Sequence, residues 1–335
     1  MGIDLPLIWA VIIGFGLMMY VVMDGFDLGI GILYPFVKGH DERDAIVNSV
    51  APIWDGNETW LVLGGAGLLA AFPIVYSFLL SALYIPLALM LAGLILRGVA
   101  FEFRFKANGE RREIWGVAFA VGSYVAAFSQ GAALGAAIGG FEVKGPAYTG
   151  GAFDWVSPFS LFTGAGVVVA YALLGATWLV MKTQGGLQHR MIELARPVAL
   201  VLLAFIGIVS VWTPLAHASV ATRWFSLPNL FFFSPVPVLV LAASWLLLRD
   251  LERTPNALPF ALALAILFLG YTGLAISFWP NIIPPSLSFR DAAGPPQSLG
   301  FALVGALFIM PIILTYTAWS YHVFRGKVEV GVGYH

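Results

Sequence analysis

The sequence lacks cysteine altogether and is poor in charge. With no cysteine among its 335 residues, the chain can form no disulfide, thiolate metal site, iron–sulfur cluster or covalent Cys-x-x-Cys-His haem attachment. Charged residues make up only 10% of the chain and hydrophobic residues 60%, with a mean hydropathy of +0.89. This composition indicates an integral membrane protein. The formal net charge of −1 provides no basic surface for nucleic acid.

Histidine is scarce as well, and none of the five lies well inside an apolar run. They fall in predicted loops, at helix ends or at the C-terminus: His40, His189, His217, His322 and His335. A buried bis-histidine haem site needs imidazoles inside facing helices. The motif HExxH, a Walker loop and a Rossmann fingerprint are also missing from the sequence. We therefore predict no catalytic centre, bound cofactor or metal ion in this chain.

Long apolar runs recur along the whole chain and predict an all-α membrane fold. A helix needs about 20 apolar residues to cross about 30 Å of hydrocarbon. We predict nine transmembrane helices, at 6–33, 57–75, 77–99, 115–139, 157–181, 197–217, 230–248, 258–279 and 299–323. The N-terminus has no basic region and no small-residue cleavage site before the first run, so we expect the first helix to persist in the mature protein.

The basic residues alternate in number between the predicted connections. Of the 17 Lys and Arg residues, 14 fall on one side of the nine helices and three, Lys144, Arg223 and Arg290, on the other. By the positive-inside rule, this distribution predicts an outside N-terminus and a cytoplasmic C-terminus. It also requires an odd number of crossings.

Two pairs of carboxylates lie in or near the predicted membrane segments. Asp24 and Asp27 are three positions apart in VVMDGFDLGIG, and Asp55 and Glu58 are three apart in APIWDGNETW, where the second helix begins. Because residues three apart share a helix face, each pair lies on one face, and we expect the four carboxylates to lie at a similar depth near the cytoplasmic boundary of adjacent helices. Ionisable groups at this depth often mark proton or ion pathways. Glu102, at the cytoplasmic end of the third helix, is a further candidate.

The same residues also permit a purely structural interpretation. Asp55 can cap the second helix. Asp24 or Asp27 can form an ion pair with a basic residue near the end of the third helix, where the candidates are Arg97, Arg104 and Lys106. Glu58 is the weakest candidate for proton transfer, since it lies near water under almost any choice of helix boundary. From the residues alone, ion pairing or capping and proton handling both stay open.

Glycine recurs at four-residue spacing in two predicted helices. Gly25 and Gly29 lie in the first, and Gly131, Gly135 and Gly139 in the fourth. Small residues at this spacing allow helices to approach closely in lipid. The pattern therefore predicts tight helix packing and does not identify a partner.

Several motifs in the first 115 residues resemble subunit II of cytochrome bd-type quinol oxidases, most closely the cyanide-insensitive bacterial branch. They are DGFDLG in the first helix, NSVAPIWDGNETWLV at the start of the second, FPIVY after it and LRGVAFEFR at the end of the third. Beyond them the likeness is one of length and nine-helix topology. The resemblance implies two four-helix bundles plus a peripheral helix, with the first bundle at 1–139 and the second bundle and extra helix at 140–335.

The resemblance implies a partner that supplies the cofactors this chain lacks. In that family a larger subunit I carries haems b and d and the quinol-oxidising loop, and the heterodimer oxidises quinol and reduces dioxygen to water. Protons come from the cytoplasm through acidic residues of subunit II. The matching positions are Asp24 and Asp55, with Asp27 in the same motif, whereas Glu58 stands where other members can carry an amide.

The resemblance also implies a location in the bacterial cytoplasmic (inner) membrane. It leaves open whether a structural quinone or lipid binds to this subunit and whether small accessory membrane subunits join the complex. We expect no contact with nucleic acid.

Two other classes of function compete with the oxidase subunit. A proton-coupled secondary transporter would use the same carboxylates as coupling sites, but such carriers often have paired broken helices in their two halves. Pro86, Pro214 and Pro311 interrupt predicted helices without forming such a pair. A purely structural scaffold would leave the acidic residues unexplained. An oxidase subunit is expected to co-purify with a haem protein, and a transporter to be colourless.

Overall fold

The computed structural model describes residues 3–141, 148–253, 257–285 and 287–328, which are mostly helical. The α-helices are α1 (Leu5–Leu33), α2 (His40–Asn48), α3 (Trp54–Ala71), α4 (Pro73–Ala82), α5 (Tyr84–Lys106), α6 (Glu110–Gly139), α7 (Pro158–Lys182), α8 (Gly185–Ala216), α9 (Ala218–Phe225), α10 (Asn229–Phe233), α11 (Pro235–Asp250), α12 (Leu258–Phe278) and α13 (Pro296–Val323). A 3-10 turn, Tyr34–Phe36, follows α1, and strands β1 (Asn281–Ile283) and β2 (Leu287–Ser288) pair antiparallel. Lys144 and His335 lie outside the described residues.

Eight helical segments in the described ranges are long and apolar enough to cross a membrane. They are α1 with its 3-10 turn, α5, α6, α7, α8, α10 together with α11, α12 and α13. α3 corresponds to the second predicted crossing and is 18 residues long, but it is less apolar because its first turns contain Asp55, Asn57 and Glu58. If α3 also crosses, the count equals the predicted nine. That count and the orientation stay predictions.

The second and third predicted helices meet at a different place from the one expected. The chain breaks at Phe72 and again at Leu83, so the residues between them form the separate short helix α4, and α5 alone corresponds to the third crossing. Phe72 has a non-helical backbone (φ −133°, ψ 63°), and Pro73 occupies the start of α4, where its missing N–H removes no hydrogen bond. Phe72 and Phe78 are buried. The burial of these two side chains shows that α4 packs against the end of the helix bundle.

Helix packing surrounds the second half of α1 with protein. α1 contacts α3, α6, α7 and α13, while α5 packs along α6 and α6 along α7. In the second half of the chain, α8 and α12 pack on α7, α11 packs on α12, and α13 contacts α3. Every residue from Asp24 to Leu33 is buried. The segment that carries Asp24 and Asp27 therefore has no face open to lipid or water.

The absence of a side chain at glycine lets α1 and α7 touch backbone to backbone. A Cβ atom on Gly29 would lie 2.0 Å from the carbonyl oxygen of Tyr171 and 2.8 Å from the amide nitrogen of Gly175. A Cβ atom on Gly131 would lie 2.6 Å from a backbone carbonyl oxygen of α7. The close packing predicted from the glycine spacing is confirmed at these positions.

The predicted outer end of the bundle is tied to the segment around β1 and β2. The Gly294 amide donates a hydrogen bond to the carbonyl oxygen of Ala71 at 2.8 Å. Arg290 Nη2 donates to Oδ2 of Asp4, just before α1, at 2.7 Å. That hydrogen bond lowers the pKa of the exposed Asp4 carboxyl. The segment thereby connects the beginning of α1 with the end of α3.

Candidate functional site

The structure brings three carboxylates of the sequence prediction around one arginine. Arg97 lies within α5, and its side chain is only 2% exposed. Arg97 Nη1 lies 2.9 Å from Oδ1 of Asp24, and Nη2 lies 3.1 Å from Oε2 of Glu58. The side chain of Asp24 is 1% exposed and that of Glu58 is 29% exposed. These two ion pairs join α1, α3 and α5 at one buried point, and only the Glu58 side chain is partly exposed.

Asp27 lies beside these ion pairs and is bound by an amide. The residue is 1% exposed, and its Oδ2 accepts a hydrogen bond of 2.8 Å from Nδ2 of Asn57. Within the described part of the chain, its Oδ1 has no hydrogen-bond partner. The hydroxyl of Tyr321, on α13, donates to Oδ1 of Asn57 at 2.9 Å. Three neighbouring carboxylates thus share the charge of Arg97, which makes the cluster a place where protons can bind.

A row of polar side chains leads from Asp24 to α6 and α7. Gln130 Nε2 donates to the hydroxyl oxygen of Tyr20 at 2.6 Å, and the hydroxyl of Tyr171 donates to Oε1 of Gln130 at 2.8 Å. Tyr20 lies one helical turn before Asp24, and its hydroxyl interacts with the Asp24 carboxylate. Hydrogen bonds therefore join the part of α1 that carries Asp24 to α6 and α7.

Asp55 and Glu102 lie outside this buried cluster, although Asp55 is within one turn of Glu58 on α3. Asp55 is exposed in the first turn of α3, and the N-cap residue, Ile53, makes no side-chain cap bond. Asn57 is the residue that faces Asp27, and two residues along a helix correspond to about 200° of rotation. Asp55 consequently lies on the opposite side of α3, where it interacts electrostatically with Glu58. Glu102 is exposed near the end of α5.

One of the three predicted ion-pair candidates is the cation of the cluster. Arg97, which the charge count placed on the cytoplasmic side, lies inside α5, where Asp24 and Glu58 balance its charge. The ion-pair interpretation is therefore confirmed for Asp24. Arg104 is buried too, but it pairs with Asp44 of α2, with Nη2 lying 2.6 Å from Oδ1.

Ion pairs hold α2 over the predicted cytoplasmic end of the cluster. Arg112 also pairs with Asp44, and Arg43 Nη1 lies 2.7 Å from Oε2 of Glu113 on α6. A narrow internal space beside the cluster is lined mainly by aromatic side chains and by two charged residues, namely Val50, Trp54, Gly98, Phe101, Phe119, Asp27 and Arg97. This space lies between the cluster and the segment that connects α2 to α3.

Comparison with known proteins decides the family. A sequence profile described as cytochrome bd terminal oxidase subunit II matches residues 5–324. The chain belongs to this family. It is 32% identical to the cytochrome bd-I ubiquinol oxidase subunit 2 of Escherichia coli (strain K12), over 97% of this chain and 95% of that protein. It is 31% identical to a probable cytochrome oxidase subunit 2 of Haemophilus influenzae, with the same coverage of both chains.

A solved structure supports the fold of this bd oxidase subunit. A chain in the structure of bd oxidase from Geobacillus thermodenitrificans aligns with a TM-score of 0.77, over 96% of this chain and 99% of that chain. The two sequences are 18% identical, so this comparison shows the fold alone. The predicted all-α membrane fold and the predicted family are both confirmed. The family also decides against the transporter, since its members are subunits of an oxidoreductase.

Family membership implies a partner, subunit I, and haems in the complex. The residues that the structure describes do not fit haem ligation inside the bundle. The histidines of the described residues lie in or next to helix ends and are exposed or partly exposed, namely His40, His189, His217 and His322. The described ranges also contain no group of three or more His, Cys, Asp or Glu residues arranged to hold a metal ion.

Proposed function

We propose that this subunit conducts protons from the cytoplasmic side of the membrane to subunit I of the oxidase. In this proposal subunit I holds haems b and d, oxidises quinol and reduces dioxygen to water, and this chain binds no haem. The E. coli relative is described as a ubiquinol oxidase subunit, which supports quinol as the electron donor. The main observation in support of this proposal is the cluster of Asp24, Asp27 and Glu58 around the single guanidinium of Arg97.

The chemistry of this cluster suits proton transfer. A carboxylate beside an arginine is stabilised as an anion, whereas a buried carboxyl group without its own cation favours the neutral form. Two neighbouring carboxyl groups, one favoured as an anion and the other as a neutral acid, can exchange a proton without placing an unpaired charge in the hydrocarbon region. Asp24 lies beside Arg97, whereas Asp27 is bound by the neutral amide of Asn57.

The carboxylates of α3 extend the proposed path towards the protein surface. Glu58 interacts electrostatically with Asp24 on one side and with Asp55 on the other. Asp55 is exposed in this subunit, which supports it as the member that exchanges protons with subunit I. Glu102 is also exposed near the end of α5, and we retain it as an accessory proton donor at the cytoplasmic surface.

We further propose a location in the bacterial cytoplasmic (inner) membrane. The eight candidate membrane spans make the chain a multi-pass membrane protein, and the relatives described above are bacterial. Small accessory subunits and a structural quinone or lipid in this chain stay open, as the family resemblance left them. The cyanide-insensitive branch also stays a prediction.

We expect Asp55→Asn to leave assembly and haem content unchanged but to lower oxygen consumption by at least about tenfold, because the amide cannot carry a proton. The measurement is quinol-driven oxygen uptake by the purified two-subunit complex, together with its reduced-minus-oxidised spectrum. Asp41→Asn is the matched control, since Asp41 is also an exposed aspartate in the first turn of a helix. Loss of subunit I from the Asp55→Asn preparation would show that Asp55 holds the complex together, and normal oxygen uptake by an intact Asp55→Asn complex would contradict its role in the path.

A further inference from the structure

Asn57 connects Asp27 to the last helix of the subunit. The residue is 1% exposed, and both ends of its carboxamide are occupied. Its Nδ2 donates to Oδ2 of Asp27 at 2.8 Å, and its Oδ1 accepts from the hydroxyl of Tyr321 at 2.9 Å. The orientation of an amide follows from its hydrogen-bond partners. This orientation is the one that suits an ionised Asp27, because a carboxylate can only accept hydrogen bonds.

The opposite orientation of the amide suits the other protonation state of Asp27. A protonated carboxyl group donates a hydrogen bond, and the amide turned by 180° offers its oxygen to that donor. The NH2 group of Asn57 then faces Tyr321, whose phenol oxygen can accept. A phenol both donates and accepts, so Tyr321 satisfies the Asn57 amide in either orientation.

The ring of Tyr321 is held in place while the amide changes orientation. It packs edge-on against Phe26 and Trp178, with centroid distances of 6.4 and 6.2 Å. Just beyond it, Lys182 Nζ at the end of α7 donates to the carbonyl oxygens of Phe324 and Gly326. These contacts fix the end of α13 against α1 and α7. The hydroxyl of Tyr321 therefore stays within reach of Asn57.

We propose that Tyr321 is a positioning residue for proton binding at Asp27 and that it acts through the Asn57 amide. This inference rests on the proposed proton path and adds α13 to it. The hydroxyl lets one amide serve Asp27 both as an anion and as an acid. Without it, the Asn57 amide loses a buried partner in each orientation.

The surroundings of Asp27 make Tyr321 a suitable residue for a test. The charged and titratable groups that face Asp27 come from four helices and are Asp24 on α1, Glu58 on α3, Arg97 on α5 and Tyr321 on α13. Gln130 of α6 and Tyr171 of α7 belong to the row that ends at Asp24. Tyr321→Phe therefore changes the hydrogen bonding of Asp27 without removing a formal charge.

The test compares Tyr321→Phe with Tyr271→Phe in the assembled oxidase. Tyr271 donates from α12 to the carbonyl oxygen of Gly14 at 2.8 Å, so each variant removes one interhelical hydrogen bond to the hydroxyl of a tyrosine. We expect Tyr321→Phe to lower oxygen uptake about three- to tenfold and to move its pH profile upward by about half a unit or more. The shift is upward because the Tyr321 hydroxyl, by donating to the Asn57 oxygen, polarises the Asn57 amide. Without that hydroxyl, the N–H groups of Asn57 are weaker donors and stabilise the Asp27 carboxylate less. Tyr271→Phe should change neither quantity.

Two further variants separate failure of this inference from failure of the proton path. If Asp27→Asn slows oxygen uptake but Tyr321→Phe leaves the pH profile unchanged, the inference is overturned and the path stands. If Asp27→Asn is without effect, Asp27 is not on the path and the inference falls with it. Asn57→Leu removes the donor to Asp27 and should shift the pH profile in the same direction as Tyr321→Phe and by at least as much. In the Asn57→Leu background, Tyr321→Phe should have no further effect on the profile. An unshifted profile in Asn57→Leu would overturn the inference even if Tyr321→Phe did not assemble.

Discussion

Replacing Arg97 by methionine is expected to destabilise the subunit by about 3–5 kcal/mol and to prevent its stable assembly. Arg97 is the cation paired with both Asp24 and Glu58, and its side chain is 2% exposed. Methionine retains much of the aliphatic volume of arginine, so the main loss is that of the charge. Asp24 would then be left in the bundle as an anion without its ion-pair partner, and the cost of burying that anion would fall on the folded state.

The yield of haem-containing complex and its thermal midpoint in mild detergent measure this effect. Arg112→Met is the matched control, because Arg112 also pairs with an aspartate but is 30% exposed. Its loss should cost no more than about 1 kcal/mol. Adding Asp24→Asn to Arg97→Met should restore part of the stability, since the unpaired anion is removed as well. An Arg97→Met complex with a normal yield and midpoint would show that the ion pair does not stabilise the fold.

The sequence predicted the carboxylates of the site, and it offered the cation of the site only as one of three candidates. Asp24 and Asp27 stand out because they interrupt a long apolar run. Arg97, Arg104 and Lys106 all lie near the end of the third predicted helix, and the sequence does not show that Arg97 is the one beside Asp24. What places it there is the way in which α1, α3 and α5 meet, and no local pattern contains that information. A signal did exist, since Arg97 directly follows the apolar run Leu94-Ile95-Leu96.

The neutral partners in the site were also missed. Tyr20 could have been found, because it lies four residues before Asp24 and thus on the same helix face. Asn57 and Tyr321 are 264 residues apart, so only the folded chain shows that they meet. Helical spacing correctly related Asp55 to Glu58 as neighbours on α3. It could not show that the face carrying Asn57, and not the one carrying Asp55, packs against α1.

The lengths of the apolar runs correctly predicted the membrane helices that stand apart from their neighbours in the sequence. The first, expected at 6–33, is α1 (Leu5–Leu33), and the eighth, expected at 258–279, is α12 (Leu258–Phe278). The prediction failed around α4, which is apolar but packs against the end of the bundle as a separate short helix. Hydrophobicity alone cannot distinguish a helix buried in protein from one that faces lipid. Tertiary packing decides between them.

Gly29→Ala is expected to destabilise the subunit by about 3 kcal/mol or more. The new Cβ atom would lie 2.0 Å from the carbonyl oxygen of Tyr171 and 2.8 Å from the amide nitrogen of Gly175. Both are backbone atoms, so no side-chain rotation can relieve the clash, and α1 must move away from α7. The thermal midpoint and the yield of haem-containing complex are the measurements.

Gly207→Ala is the matched control, because Gly207 lies within α8 and a Cβ atom there meets no atom of the described residues within 4 Å. That change should be neutral or stabilise the subunit by up to about 1 kcal/mol through helix propensity. Equal midpoints for the two variants would contradict the backbone contact between α1 and α7.

A shift of α1 would also move Asp24 and Asp27, which precede Gly29 on the same helix. Any Gly29→Ala complex that does assemble should therefore lose oxygen uptake as well as stability, since the carboxylates would no longer meet Arg97 and Asn57.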